Sequence, residues 1–432
     1  MNIAFYTLGC KVNQYETEVM REAFEKKGHS IVNDNMPFDV VIINSCTVTA
    51  ESDRKTRQAV HRFRKNNPNA IIVLTGCMVQ AFSEDAKALS DADIIIGNTN
   101  VLKVIEAVES FKNTKSEIFD VLPHPRGEIF NTPSIENFAE RTRAYMKIQD
   151  GCDRFCTYCI IPTARGWLRS KPIDEIKKEA EKLAQNGYIE VVLVGINLTS
   201  YGKGETELNI CDAVEAVASV EDIKRIRLGS LEPDHITDQM LNRLKAVNKF
   251  CPQFHLSLQS GCDETLFRMN RHYDTAFYRD LVKRIRATFD DSSITTDIMV
   301  GFAGEDETEF LKSIEFAKEI GFAKAHVFAY SRRSGTMAYN MQNQVTRTEK
   351  SRRSRLMIET TAQTEQNFIK SYMGKTVEVL FETEENGYNV GYTKNYLYVK
   401  VKSDVTLTGK LINVKIIECE KEFAIGEIII PY

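Results

Sequence analysis

Three thiols stand at offsets of four and three residues in Gly151-Cys152-Asp153-Arg154-Phe155-Cys156-Thr157-Tyr158-Cys159. Thiolates so spaced reach three corners of one compact metal site. A closed structural zinc site takes four ligands. Three suit an iron–sulfur cubane whose remaining iron stays open to a substrate or cofactor, because thiolates are the usual cluster ligands. The alternative is a zinc knuckle that borrows a distant fourth ligand.

A second set is dispersed. Cys10, Cys46 and Cys77 each come at the end of a short apolar, β-branched run, at residues 3–8, 40–45 and 71–76, and a fourth such run covers 94–98. Helical stretches at 15–27 and 52–65 alternate with them, which predicts a parallel sheet with helices on its faces. In open sheets of this kind ligands bind at the carboxyl ends of the strands. The three cysteines are therefore expected to converge on one edge as a second three-ligand site. Each follows a small residue, Gly9, Ser45 or Gly76, that lets backbone approach a bulky group. Buried cysteines acting as small hydrophobes are the plainer reading. The helix after Cys46 carries Arg54, Lys55, Arg57, Arg62, Arg64 and Lys65, either a solvated face or a phosphate contact.

Residues 142–331 repeat a strand-then-helix unit six times, with strands expected at 144–149, 191–195, 225–229, 255–259, 296–300 and 326–330. Six units predict a partial (β/α)6 barrel, whose chemistry sits at the carboxyl ends of its strands. Cys152 follows the first strand and lands on that face. Gly195, Asn197, Ser230, Glu232, Gln259 and Asp297 mark the ends of later strands.

The Cys-x3-Cys-x2-Cys spacing at 152–159 resembles the signature of the radical S-adenosylmethionine (SAM) enzymes. The resemblance implies a [4Fe–4S] cluster whose open iron chelates S-adenosylmethionine, which one electron cleaves to a 5′-deoxyadenosyl radical. It also implies SAM contacts: Gly195 and Asn197 near the methionine end, Ser230, Glu232 and Gln259 near the ribose or amino group, and Asp297 beside them. The family commonly has Pro where Ala303 stands, a departure that touches loop stiffness and not a ligand.

The 432 residues, 43% apolar and 27% charged, are those of an ordinary globular protein of about three domains. Ten cysteines, grouped as they are, point to metal in a reducing compartment and not to a disulfide scaffold. No signal-peptide pattern opens the chain and no apolar run spans a bilayer, so a cytoplasmic protein without a membrane partner is expected. A net charge of −4 leaves any nucleic-acid contact to local patches.

The expected fold class is α/β. It comprises an N-terminal parallel domain (1–115), a linker (116–137), the barrel (138–370) and a small antiparallel β-barrel (371–432). Tail strands are expected at 377–381, 388–392, 396–401, 411–416 and 427–430. The tail is similar to the TRAM module, an RNA-binding barrel, with Tyr392, Tyr396 and Tyr398 expected to be exposed for base stacking beside Lys394 and Lys400.

This order of parts resembles the methylthiotransferases over nearly the whole chain. The resemblance implies two [4Fe–4S] clusters and insertion of a methylthio group into an unactivated C–H bond. Thr7-Leu8-Gly9-Cys10-Lys11-Val12-Asn13 and Asn44-Ser45-Cys46-Thr47-Val48-Thr49 look like the branch that acts on N6-threonylcarbamoyladenosine at tRNA position 37. Sister branches act on isopentenyladenosine in tRNA and on a ribosomal-protein aspartate. The implied partners are a tRNA anticodon stem-loop, an electron-donor protein and a sulfur source. From another class, a non-catalytic RNA-binding metalloprotein would need a fourth ligand at each site and would hold zinc.

Overall fold

In the computed structural model, residues 1–138 and 142–429 are described. Residues 139–141 of the expected barrel segment and residue 430 of the expected last strand lie outside them.

The first third is a six-stranded parallel sheet in the order β2-β1-β3-β4-β5-β6. In chain order its elements are β1 (Asn2–Thr7), α1 (Lys11–Lys26), β2 (Ser30–Val32), β3 (Val40–Ser45), α2 (Ala50–Asn66), β4 (Ile71–Gly76), α3 (Cys77–Ala81), α4 (Ser83–Lys87), β5 (Ile94–Ile96), α5 (Lys103–Thr114) and β6 (Ile118–Asp120). The runs in β3 and β4 are buried at every position, as a parallel strand covered on both faces must be. β2 and β6 are edge strands of three residues, too short to leave a periodic signal. β6 falls inside the stretch read from sequence as linker.

The barrel contributes β7 (Arg143–Lys147), β8 (Gln149–Asp150), α6 (Ile161–Arg165), β9 (Arg169–Ser170), α7 (Ile173–Gln185), β10 (Glu190–Val194), α8 (Ile210–Ala218), β11 (Arg225–Leu228), β12 (Ser230–Leu231), α9 (Asp238–Ala246), β13 (Gln253–Leu256), α10 (Asp263–Arg268), α11 (Thr275–Thr288), β14 (Ser293–Val300), α12 (Glu307–Ile320), β15 (Lys324–Ala329) and α13 (Arg347–Lys370). One expected strand is broken at Gly229, so β11 pairs with β10 while β12 pairs with β13. The two parallel sheets, β7-β10-β11 and β12-β13-β14-β15, together make the six-unit wall.

One continuous core runs from Ile3 of β1 and Tyr15 and Phe24 of α1 through Ala144, Met146 and Leu193 to Phe310 and Met357. The two α/β units are thus fused by apolar burial as well as by the chain. The tail is a closed barrel in the order β16-β17-β18-β20-β19: β16 (Thr376–Glu385), β17 (Tyr388–Thr393), β18 (Tyr398–Lys402), β19 (Leu411–Cys419) and β20 (Ala424–Ile428). It has its own core of Val379, Phe381, Val399, Val414 and Ile416. No helix among the described residues is long and apolar enough to cross a membrane.

Candidate active site

β1, β3 and β4 are neighbours, so Cys10, Cys46 and Cys77 emerge at adjacent strand ends. The backbones crowd there. A Cβ on Gly9 would lie 2.9 Å from the Cys46 Cβ, and one on Gly76 would lie 2.5 Å from the Ser45 carbonyl oxygen. Both glycines have positive φ, at 114° and 97°, so Gly is required for space and for conformation. Asn13 ties the edge together. Its amide donates to the Ser45 carbonyl (3.0 Å) and to Asn44 Oδ1 (3.2 Å), and its Oδ1 lies 3.3 Å from Cys10 Sγ.

The other three thiols sit on the loop between β8 and α6. Gly151 makes this loop possible: at φ 75° its absent Cβ would fall 1.7 Å from the Trp167 carbonyl oxygen. The Arg271 guanidinium stands 3.1 Å from Cys156 Sγ and also pairs with Glu232. The Ile161 N–H points at Cys159 Sγ from 3.4 Å. A cavity of about 150 Å³ opens beside Cys152, walled by Phe155, Pro162, Thr163, Gly166 and Trp167.

All ten cysteines are free thiols. Burial pushes Cys77 and Cys152 up to about 12, and it raises Cys46 and Cys159 as well. Such thiols give up their protons when a metal cation takes the protons' place. Among the described residues no three His, Cys, Asp or Glu side chains gather tightly enough for a single ion. A cluster, by contrast, takes each thiolate on a different iron, and two sets of three thiols fit that chemistry.

The strand-end polar residues divide in two. Asn197 and Gln259 are buried, and the Asn197 Nδ2 and Gln259 Oε1 have no partner among the described residues. Orphaned polar atoms at barrel strand ends suit a polar cofactor, because leaving them unmet costs about 1–3 kcal/mol each. The others are already engaged or face outward. Glu232 holds Arg271, Asp297 lies 3.4 Å from His255 Nε2, and Ser230 is exposed. Gly195 packs on Gln149, whose Cβ would be 2.9 Å from an added Cβ; Gln149 Oε1 accepts from the Asn197 N–H at 2.7 Å.

Sequence reading missed the residue that ties the barrel to the first cysteine set. Arg165, fully buried at the end of α6, donates through Nε to Cys77 Sγ at 3.1 Å and grips Glu16 of α1 with both terminal nitrogens. Lys147 lies 2.7 Å from Glu16 and 2.6 Å from Asp150, and Arg169 lies 3.1 Å from Asp150. Burial alone would raise Glu16 and Asp150. The surrounding cations outweigh it and hold both below the ordinary carboxylate range. Arg165 is six residues beyond Cys159, but nothing local says that it crosses to Cys77.

Two expectations about basic surface change. On α2, Arg54 pairs with Glu51, Arg64 lies 2.6 Å from Asp93, and Arg62 sits over the Tyr6 and Phe63 rings. Only part of that helix faces solvent as free charge. Tyr392, Tyr396 and Tyr398 are not exposed. They are half-buried and stacked, with ring centroids 4.4 and 5.0 Å from Tyr392. Arg143 lies 5.3 Å and Arg227 4.8 Å from the Tyr396 ring, so this patch fastens the tail to the barrel.

Comparison with known proteins agrees with this architecture. Family models match in order: uncharacterized protein family UPF0004 at residues 2–97, the Radical SAM superfamily at 146–317 and the TRAM domain at 370–429. The threonylcarbamoyladenosine tRNA methylthiotransferase MtaB of Bacillus subtilis (strain 168) is 36% identical, covering 99% of this chain and 96% of the relative. The chain belongs to the tRNA methylthiotransferases of the radical SAM superfamily. A second methylthiotransferase, the tRNA-2-methylthio-N(6)-dimethylallyladenosine synthase of Clostridium perfringens (strain SM101 / Type A), is 34% identical over 98% of this chain and 96% of its own length. Among solved structures, the radical S-adenosylmethionine methyltransferase TsrM of Kitasatospora setae matches with a TM-score of 0.60 at 12% identity, covering 78% of this chain and 77% of that one. That likeness is one of fold.

Proposed function

We propose that this methylthiotransferase converts N6-threonylcarbamoyladenosine at position 37 of tRNA to its 2-methylthio derivative. The observation that carries the reading is that Arg165, fully buried on the helix that follows Cys152, Cys156 and Cys159, donates to Cys77 and Glu16 of the first domain. The threonylcarbamoyl branch is supported by the 36% identical relative bearing that name.

When bound, clusters on Cys152, Cys156, Cys159 and on Cys10, Cys46, Cys77, together with S-adenosylmethionine, supply the radical and sulfur chemistry that a heteroaromatic C–H requires and acid–base groups cannot give. The chain's own groups do the positioning. Arg271 donates toward Cys156, and Arg165 toward Cys77, so each set has a guanidinium against one of its thiols. Asn197 and Gln259 offer unmet polar atoms to the amino acid or ribose of the cofactor, and Gly195, lacking a Cβ, leaves room for the Gln149 side chain that accepts from the Asn197 N–H. Ser230, Glu232 and Asp297 complete the proposed contact set. Target and cofactor must be held together, since a small misplacement is costly.

In this reading residues 1–115 hold the sulfur-donating site, 138–370 generate the radical and 371–432 assist RNA binding, with 116–137 covering their junction. The reaction also needs an electron-donor protein and a sulfur source, and a cytoplasmic setting suits a tRNA substrate.

The test is mass spectrometry of nucleosides from tRNA lacking the methylthio group, treated anaerobically with reconstituted protein, S-adenosylmethionine, sulfide and a strong reductant. Methylthio-threonylcarbamoyladenosine is the expected product. Methylthio-isopentenyladenosine would overturn the branch. 5′-Deoxyadenosine without a tRNA product would point to the ribosomal-protein reaction or another radical reaction.

A further inference from the structure

The segment after β15 touches both cysteine loops. Ser331 Oγ accepts from the Ala50 N–H at 3.0 Å, and Arg333 Nη2 donates to Thr47 Oγ1 at 2.6 Å, so this end packs on the loop that follows Cys46. A few residues on, the Ala338 N–H donates to the Thr157 carbonyl at 2.8 Å, between Cys156 and Cys159. Residues 331–338 therefore span the two proposed cluster sites.

In that span Arg333 is neutralised by Asp53 at 2.6 Å. Arg332 is not. It is exposed, its Nε donates to the Tyr339 carbonyl at 2.6 Å, and its guanidinium carbon sits 4.2 Å from the Tyr339 ring centroid. Its two terminal nitrogens are left over, and among the described residues no carboxylate pairs with it. Lys350 is a second such cation. Its Nζ lies 2.9 Å from the Tyr330 carbonyl oxygen and 4.8 Å from the Tyr330 ring, again without an ion pair among the described residues. Burial lowers the Lys350 pKa, Glu305 opposes this, and the charge of Arg332 lowers it further. Tyr330, 3% exposed, has a buried hydroxyl with no partner among the described residues. Two neighbouring cations and an unmet hydroxyl, in this span or packed against its start, are suited to an anion.

The anion in question must reach the space between the two cysteine loops. A backbone phosphate stays outside when a base is splayed into a crevice. The threonylcarbamoyl arm enters with the base. It hangs from N6, the reacting C2 is one ring nitrogen away from C6, and the arm ends in a carboxylate. A planar guanidinium with two free nitrogens matches a carboxylate bidentately. We propose that Arg332, held by Tyr339 and seconded by Lys350, binds the threonyl carboxylate and thereby selects threonylcarbamoyl over isopentenyl adenosine. This inference rests on the substrate reading above.

The experiment measures binding of the full chain to three anticodon stem-loops that differ only at position 37: threonylcarbamoyladenosine, isopentenyladenosine and adenosine. Wild type should prefer the first. Arg332→Gln should lose about tenfold or more of the affinity for that loop, with the other two unchanged, and Arg332→Lys should keep part of it. Iron content and circular dichroism report that the variants are folded. Equal loss for all three loops would mean a phosphate contact and overturn the proposal, as would an unchanged preference in Arg332→Gln. A wild type that favours the isopentenyl loop would refute the substrate reading itself, and this inference with it.

Discussion

Arg165→Met removes the cation that bridges the two α/β units while nearly keeping its volume. Glu16 and Asp150 stay behind with side chains 2% and 3% exposed. Breaking a buried pair by deleting one partner costs about 3–5 kcal/mol, because the other charge is left uncompensated. Here Lys147 remains 2.7 Å from Glu16 and 2.6 Å from Asp150, so the lower end, about 3 kcal/mol, is expected. Arg165→Met/Glu16→Gln deletes the stranded charge too and should be less destabilised than the two single variants summed, with a coupling of about 1.5–3 kcal/mol. The assay is urea unfolding of the metal-free protein from pH 4 to pH 8. Glu16 is held below its ordinary pKa by Arg165 and Lys147 against burial. Its contribution is therefore full above the unfolded value of about 4.3 and is lost as pH falls through the lower folded value. The gap between wild type and Arg165→Met should be widest near neutrality and narrow toward acid. No gap at neutral pH, or strict additivity in the double variant, would refute the bridging role.

Cys156→Ala should retain the iron of the N-terminal site and abolish 5′-deoxyadenosine formation, while Cys46→Ala should keep reductive cleavage of S-adenosylmethionine but stop methylthiolation; the reverse pattern would exchange the proposed roles. Tyr396→Ala removes the ring under Arg143 and Arg227. It should loosen the tail from the barrel by about 2 kcal/mol, seen as faster tryptic cleavage near Lys370 and Lys375, and wild-type cleavage rates would show that the stack does not fasten the tail.

Much of the molecule was legible because its signals are local. The apolar runs of β3 and β4, the turn glycines Gly9, Gly76 and Gly151, and the spacing of Cys152, Cys156 and Cys159 are each decided by neighbours in sequence. Topology then carried Cys10, Cys46 and Cys77 to adjacent strand ends, since parallel strands deliver their carboxyl ends to one edge. The three-residue edge strands β2 and β6 left no pattern to read.

What only the tertiary structure decided concerns charge and aromatic partners far apart in the chain. The sequence shows six cations on α2 and three tyrosines in the tail as candidate RNA contacts. Packing spends Arg54, Arg62 and Arg64 on local partners and turns the tyrosines onto Arg143 and Arg227. Conversely, Arg165 sits in an undistinguished stretch, yet the fold brings it 3.1 Å from Cys77, 88 residues earlier. Whether a charged side chain is solvated, paired or left to meet a ligand depends on which groups desolvate it, and those come from elements that are remote in sequence.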